Sequence, residues 1–423
     1  LMVFKIEIWL FIRGFFLKIY KFKEKRLIFL QSKHLSTTKS FLKWSFYGGV
    51  VGGLCGIASA IFLHGLDWVT DVRENHKGII YFLPIAGVLT SYLYIKFGKN
   101  SSRGNNLILE EIQNKKEDVP LRMGGLVLVG TLISHLFGAS VGREGTAVQM
   151  GGCFASAIAK MFKLNDRDRK IILMSGISGG FGSAFGTPLA GAIFGMEVSA
   201  IGAIRYEALI PCFMASFIGD IVAQTFLVHH TKYIIGTVPA VTIIVLIKVV
   251  IASAIFGIVA AIFSEAIHFF KRVFSKYIKN PLLRPFVGGI IVIILTGIVG
   301  TSIFNGIGVK TIKDAFTVGV NPLTFVGKIL FTSLSLGSGF QGGEVTPLFY
   351  VGATLGDSLS GILNLPMAFL AGLGLIGVFA GASNTPIACF ILGVELFGSE
   401  GMIYFFIVSI LSYMFSGHRG IYT

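Results

Sequence analysis

Charge is what this chain has least of. Only 13% of its 423 residues are Asp, Glu, Lys or Arg, about half the share found in ordinary soluble domains. The scarcity excludes a soluble globular protein, since 53% of the residues are hydrophobic. Stretches nearly free of charge lie at 45–63, 79–94, 238–263 and 286–303, and each approaches or exceeds the roughly 20 residues that cross the hydrocarbon layer. We therefore expect an all-α, polytopic membrane protein.

Cysteine is also rare. Four residues, Cys55, Cys153, Cys212 and Cys389, stand in apolar surroundings without C-x-x-C spacing. That pattern excludes a disulfide framework or a zinc cluster and predicts free, buried thiols. We expect no metal and no cofactor.

Acidic residues are fewer than basic ones, and the net charge of +15 raises the possibility of nucleic-acid binding. The distribution argues against it, because ten of the 36 Lys and Arg residues precede Trp44, where only Glu7 and Glu24 are acidic. This bias is typical of a cytoplasmic amino terminus. We interpret 1–40 as a basic segment whose first part, Leu1–His34, is amphipathic and suited to the membrane surface. No nucleic-acid partner is expected.

Two motifs occur twice. The segment 187–198 shares six of twelve residues with 385–396, at an offset of 198, and G-x-E-x-T recurs at Gly142 and Gly342, at an offset of 200. We predict a duplicated membrane unit, with a first repeat at 41–228, a linker at 229–237 and a second repeat at 238–423. Duplicated halves are typical of transporters, which place their ion site where helices are broken near the bilayer midplane.

Three Gly-rich junctions, at 103–107, 142–146 and 337–347, directly precede apolar segments that read as helices. A helix start offers unpaired backbone N–H groups and the positive end of the helix dipole. Several such starts aimed at one point would bind an anion without placing a bare lysine in the membrane. The junctions thus predict an anion site.

Glu144 is the strongest candidate for a functional side chain. A carboxylate at membrane depth is costly unless it has a function. It can occupy the N–H groups that bind the anion, and protonation would release it. The alternative is that Glu144 only caps its helix or pairs with Arg143.

The runs Gly142-Arg-Glu-Gly-Thr-Ala-Val-Gln-Met150, Thr-Pro-Leu-Ala-Gly and Gly-Gly-Glu-Val-Thr-Pro347 together resemble the CLC family of anion channels and proton-coupled antiporters. The resemblance extends from about Lys43 to the end. Within the family it most resembles the fluoride–proton antiporter branch, because it differs from the chloride-selective members in three places. Chloride-selective members usually have Pro where this chain has Thr146, and many of their antiporters have Glu where it has Val198. Their Gly-Ser-Gly-Ile-Pro motif falls on Ser102-Arg-Gly-Asn-Asn106, so the anion-binding Ser is missing and Asn105 and Asn106 are new.

The resemblance implies a fold of two inverted repeats, a homodimer and a role for each motif residue. Glu144 would be the external gating glutamate, and Glu344 a second acid that flanks the site. Because an inner proton relay cannot use a carboxylate at Val198, we predict that Glu144 itself carries the proton and that Thr346 or Glu344 receives it. The other implied ion-site residues are Asn105 at the selecting position, Gly142, Arg143 and Gly145 around the gate, Val345 and Thr346 at the central site, and Tyr422 at the inner gate.

The function expected from these observations is export of fluoride across the cell membrane, a bacterial plasma membrane, in exchange for protons. Fluoride is small and strongly hydrated, so its site must supply many hydrogen bonds, and an Asn amide donates two N–H groups where a hydroxyl donates one. Asn105 could also simply cap its helix. A chloride or general halide antiporter, or a passive channel, on the same fold is the alternative.

Other classes receive less support. Gly176-Ile-Ser178-Gly179 matches a short motif of intramembrane serine proteases, and His268 could serve as a base. That interpretation, like a scaffold without transport, leaves the duplication unexplained. For Glu197 and Glu395, at equivalent places in the repeats, we predict a structural role such as capping a neighbouring helix. For His135 we predict a hydrogen-bonded core residue.

Overall fold

Helices make up nearly all of the regular structure in this computed structural model. The structure describes residues 2–113 and 118–422, with side chains from Thr37 onward. Residues 1–46 form one unit, and the unit that begins at Tyr47 contains the candidate site and the groove described below. Within the described residues there is no β-strand, only one isolated pair of bridged residues. The expectation of an all-α protein is confirmed.

The helices of the first half are α1 Met2–Asn75, α2 Leu83–Leu93, α3 Asn105–Ile112, α4 Arg122–Leu136, α5 Glu144–Met161, α6 Asp166–Phe185, α7 Pro188–Glu197 and α8 Leu209–Thr225. Those of the second half are α9 Ile243–Tyr277, α10 Leu283–Val299, α11 Val309–Thr317, α12 Thr324–Ser338, α13 Val345–Leu363, α14 Met367–Ser383, α15 Pro386–Phe397 and α16 Met402–Phe415.

Four helical stretches are long and apolar enough to cross a bilayer: Thr37–Asn75, Lys77–Ile112, Tyr206–Thr225 and Ile243–Tyr277. Among the shorter apolar helices, α14 is buried along nearly its whole length by neighbouring helices. α14 therefore lies in the protein core, whereas the four long stretches have the length and composition needed to cross a bilayer.

The three Gly-rich junctions precede helices as predicted. α3 begins at Asn105 after Gly104, whose φ of +56° suits glycine, while α5 begins at Glu144 and α13 at Val345. α13 continues without a break to Leu363. Gly356 does not end this helix because it packs against α14, where a Cβ at Gly356 would lie 2.1 Å from the Leu370 carbonyl oxygen.

The two halves pack alike. In the first, α5 crosses α6 where a Cβ on Gly151 would lie 2.0 Å from the carbonyl oxygen of Gly176. In the second, α13 crosses α14 where a Cβ on Gly352 would lie 2.2 Å from the carbonyl oxygen of Gly374. Small residues allow membrane helices to approach this closely. The same contact at equivalent places agrees with the duplication read from the sequence.

Glu197 and Glu395 hold the halves together reciprocally. Glu197, at the end of α7, accepts hydrogen bonds from the backbone N–H groups of Ile387 and Ala388, at 3.1 and 2.7 Å. Glu395 in α15 accepts from Leu189 and Ala190 at the start of α7, at 2.8 and 2.7 Å. Each carboxylate therefore caps the other half's helix, where its charge is favourable. The predicted structural role is confirmed.

All four cysteines are free and buried, as expected. The predicted amphipathic face of Leu1–His34 concerns side chains outside the described residues. The boundaries 41–228, 229–237 and 238–423 stay predictions, although α1–α8 and α9–α16 fall on either side of the linker.

Candidate functional site: the meeting point of two helix starts

Gly142 and Gly343 join the two copies of the G-x-E-x-T motif. Each donates its backbone N–H to the other's carbonyl oxygen, at 2.6 and 2.8 Å. A Cβ on Gly142 would lie 2.7 Å from Cδ of Pro347, and one on Gly343 would lie 2.6 Å from the backbone nitrogen of Gly145. No side chain larger than hydrogen fits this approach. The glycines therefore bring the starts of α5 and α13 into contact.

Glu144 extends from the first half to the helix start of the second. It is fully buried, and its Oε2 accepts a hydrogen bond of 3.1 Å from the backbone N–H of Thr346 and another from the Thr346 hydroxyl. Its Oε1 lies 3.1 Å from Nε of Arg143. The carboxylate is thus stabilised by a guanidinium and by the positive end of the α13 dipole. The sequence offered two interpretations of Glu144, occupation of N–H groups and pairing with Arg143. The structure contains both contacts.

Two further polar side chains converge on Gly145. A Cβ built there would lie 3.3 Å from Nδ2 of Asn105 and 3.7 Å from Oε2 of Glu344. Oδ1 of Asn105 and Oε2 of Glu344 are both buried and have no hydrogen-bond partner within the described residues. Buried polar atoms are nearly always paired. Each of these two oxygens therefore lacks a hydrogen-bond donor, which a water molecule or a protonated group could supply.

Thr146 contributes a hydroxyl two residues after Glu144. Its Oγ1 lies 2.7 Å from Oγ1 of Thr131 on α4, and both residues are buried. Its backbone N–H is bonded to the carbonyl of Arg143 at 3.1 Å. A proline at this position could form neither contact. Thr146 therefore fastens the start of α5 to α4.

A narrow cavity adjoins the site. It measures about 10 Å³, roughly what one water molecule needs. Its walls are formed by Asn105, Ile108, Leu109, Val148, Ile177, Phe194, Val198 and Tyr422. Tyr422 also lies close enough to Glu344 and Glu144 to interact electrostatically with both carboxyl groups. The structure thus places Tyr422, Asn105 and Val198 around one small cavity, and no carboxylate is among its lining residues.

Lys328 is a buried cation that sequence reasoning missed. It lies on α12 with no exposed surface, and its Nζ donates to the carbonyl oxygens of Phe304 and Gly306, at 3.2 and 2.8 Å. Its ammonium also stands 4.9 Å from the centre of the Tyr350 ring. Among the described residues it has no carboxylate partner. The signal was available, since a lysine inside the apolar run 324–331 is unusual in a membrane helix.

The side of α12 that carries Lys328 also supports the loop before α5. One turn on from Lys328, the Thr332 hydroxyl lies 2.9 Å from that of Ser140, and the backbone N–H of Ser140 donates to Ser335 at 3.0 Å. Ser140 is two residues before Gly142. Lys328 and its neighbours therefore hold both the 304–306 loop and the segment that leads to Glu144.

The protease interpretation finds no support in the geometry. The Ser178 hydroxyl donates to the carbonyl of Ala192 at 3.2 Å, whereas Nε2 of His268 lies 3.3 Å from the carbonyl oxygen of Gly420. The prediction for His135 is half wrong. It is buried in the core, but neither ring nitrogen has a hydrogen-bond partner within the described residues. The Gly142 N–H donates to the carbonyl of Gly343 instead.

Apolar helices that start against each other, with a buried glutamate between them, define a multi-pass α-helical membrane protein. Residues 86–417 match the family described as voltage gated chloride channel, so the chain belongs to the CLC family of membrane anion-transport proteins.

Among individual relatives, the chain is 46% identical over 400 residues to the chloride/fluoride channel protein of Pseudomonas syringae pv. tomato, covering 93% of this chain and 88% of the relative. It is also similar to the crystal structure of a CLC-type fluoride/proton antiporter, with a TM-score of 0.88, 33% identity and coverage of 90% and 97%. A slow cyanobacterial Cl⁻/H⁺ antiporter shares the fold, with a TM-score of 0.75, 19% identity and coverage of 88% and 94%.

The replacement Lys328→Met tests the structural role of the buried cation. We expect the free energy of unfolding to fall by about 1–3 kcal/mol, because two buried carbonyls lose their donor. Relief of the cost of burying a charge offsets part of that loss. Thermal unfolding of the detergent-solubilised protein measures the difference. Lys313→Met, at an exposed position of α11, is the matched control, and equal melting temperatures for the two variants would contradict the assignment.

Proposed function

We propose that this protein is a proton-coupled fluoride antiporter in which Glu144 is the gate. The observation that carries the proposal is that the Glu144 carboxylate accepts hydrogen bonds from the backbone N–H and the hydroxyl of Thr346. A negatively charged oxygen already fills the place where a helix start would bind an anion. The similarity to a chloride/fluoride channel protein and to a fluoride/proton antiporter supports fluoride as the transported ion.

Protonation of Glu144 would open the site. A neutral carboxyl group loses its attraction to Arg143 and to the α13 dipole, so it can leave Thr346. Fluoride can then accept the hydrogen bonds that the carboxylate gave up. Because charged oxygen and fluoride compete for the same donors, each proton taken up is tied to the passage of an anion.

Selectivity for fluoride would come from the density of donors. Beside Gly145, the Asn105 amide supplies up to two N–H groups, and Thr346 supplies an N–H and a hydroxyl. A small anion of high charge density gains more from close, numerous hydrogen bonds than a large one does. The tight approach of Gly142 and Gly343 keeps the site narrow, which also favours the smaller ion.

The proton would not use a carboxylate on the inner side of the cavity, because Val198 stands where many chloride antiporters have a glutamate. Val198, which lines the cavity below Asn105, cannot carry a proton. Glu344 is the remaining acid at this point. Its unpaired Oε2 lies beside Gly145, and its carboxyl group is close enough to Tyr422 to interact with it electrostatically. We propose that Glu144 moves the proton through the gate and that Glu344 or Thr346 receives it.

The direction would be outward for fluoride and inward for protons, with the amino terminus in the cytoplasm of a bacterial cell, because the basic residues cluster before Trp44. A homodimer with one pathway in each subunit is the expected assembly. Since the fold serves more than one mode of transport, a chloride antiporter or passive channel is the second candidate. The H⁺/Cl⁻ exchange transporter ClcA of Vibrio parahaemolyticus is 25% identical over 86% of this chain.

Proteoliposomes loaded with fluoride or with chloride test the proposal. We expect fluoride efflux to exceed chloride efflux by at least about tenfold, accompanied by proton uptake. Glu144→Gln should lower proton uptake about 100-fold or more, the usual effect of losing a proton-transfer group. Glu400→Gln, at an exposed position, should match the wild type. Comparable chloride efflux would favour the second candidate, and proton uptake retained in Glu144→Gln would remove Glu144 as the gate.

Glu344 requires its own test. Glu344→Gln should abolish proton uptake while leaving anion efflux measurable, because the amide cannot accept and release a proton. Glu344→Asp should retain coupling. Both variants can be recorded in the same vesicles with fluoride-selective and pH electrodes. Unchanged coupling in Glu344→Gln would exclude Glu344 from the proton route.

A further inference from the structure

A groove of about 650 Å³ runs along α9 beside the end of α16, away from the ion site. Ile258, Ile262 and Phe269 form its apolar wall, and each is about half exposed, at 51%, 52% and 54%. Their spacing puts them on one face of α9. Since α9 lies in a stretch suited to crossing the bilayer, this face meets acyl chains.

Two arginines stand at the polar end of the groove. Arg272 Nη2 lies 3.8 Å from Oε2 of Glu265, and Arg419 Nε lies 4.0 Å from Oε1 of the same carboxylate. Both distances are too long for hydrogen bonds. Within the described residues neither guanidinium donates a hydrogen bond, and both side chains are largely exposed, at 72% and 65%. Two guanidinium groups thus share one carboxylate, with a net positive charge and free donors.

We propose that this groove binds one anionic phospholipid from the leaflet on the Tyr422 side. Its phosphate would bind Arg272 and Arg419, whose forked N–H groups match phosphate oxygens. One acyl chain would lie along Ile258, Ile262 and Phe269. The charge selects an anionic headgroup, because a zwitterionic headgroup brings an ammonium that cancels the attraction of the second arginine.

The position of Arg419 connects this site to transport. It lies in the short segment between α16 and Tyr422. The carbonyl of Gly420 is 3.3 Å from His268 Nε2, and the N–H of Ile421 donates to the carbonyl of Ala382 at 2.9 Å. A lipid that holds Arg419 also holds the segment that carries Tyr422 into the cavity beside Asn105. Occupancy should therefore change the rate of the transport proposed above.

Native mass spectrometry of the detergent-solubilised protein tests binding without any transport assay. The probes are phosphatidylglycerol and phosphatidylcholine of identical acyl chains. We expect at least about fivefold preferential retention of phosphatidylglycerol by the wild type and loss of this preference in the double variant Arg272→Gln, Arg419→Gln. Lys276→Gln, a cation at the same end of α9 outside the groove, should retain the preference. Equal retention of both lipids, or an unchanged preference in the double variant, would overturn the site.

Transport is the second readout. Fluoride efflux from vesicles that contain phosphatidylglycerol should differ at least twofold from efflux in pure phosphatidylcholine, for the wild type and for Lys276→Gln but not for the double variant. Preferential binding without this difference would overturn the connection to Tyr422. If no variant transports fluoride in either lipid, the proposed function fails, while the mass spectra still decide the lipid site.

Discussion

The arrangement of the two halves depends on one hydrogen-bonded contact, between the carboxylate of Glu144 and the start of α13. It joins a side chain of the first half to the backbone of the second, so both halves must keep a fixed relative position. The Gly142–Gly343 bridge sets that position to within hydrogen-bond distance, and the reciprocal caps formed by Glu197 and Glu395 hold it from the other side. An anionic oxygen can stay buried here only because Arg143 and the helix dipole both compensate its charge.

Duplication produced two copies of one motif with different chemical surroundings. Glu144 has a partner for each oxygen, whereas Oε2 of Glu344 has none within the described residues. Two acids of the same type in different environments are how proteins assign different proton-transfer roles to identical groups. The difference arises because Glu144 extends across the interface between the halves, while Glu344 remains beside Gly145. In the proposed mechanism, the first acid competes with the anion and the second receives the proton.

Much of this arrangement could be read from the sequence because local signals carry it. The Gly-rich junctions predicted the starts of α3, α5 and α13, and the repeated T-P-x-A run predicted that Glu197 and Glu395 are structural. Long-range contacts could not be predicted in the same way. That Glu144 meets Thr346, 202 residues away, depends on backbone approach at Gly142 and Gly343. The carbonyls that accept from Lys328 and the length of α13 also follow from tertiary packing, which no local pattern encodes.

The claim that most of this account depends on is that fluoride and the Glu144 carboxylate compete for one set of donors. Isothermal titration calorimetry of fluoride binding to the purified protein, repeated at several pH values, tests it most directly. The account predicts that affinity rises as the pH falls in the wild type, because a protonated Glu144 vacates Thr346, and that Glu144→Gln binds fluoride with an affinity independent of pH. An affinity that does not change with pH in the wild type, or an equal pH dependence in Glu144→Gln, would contradict it.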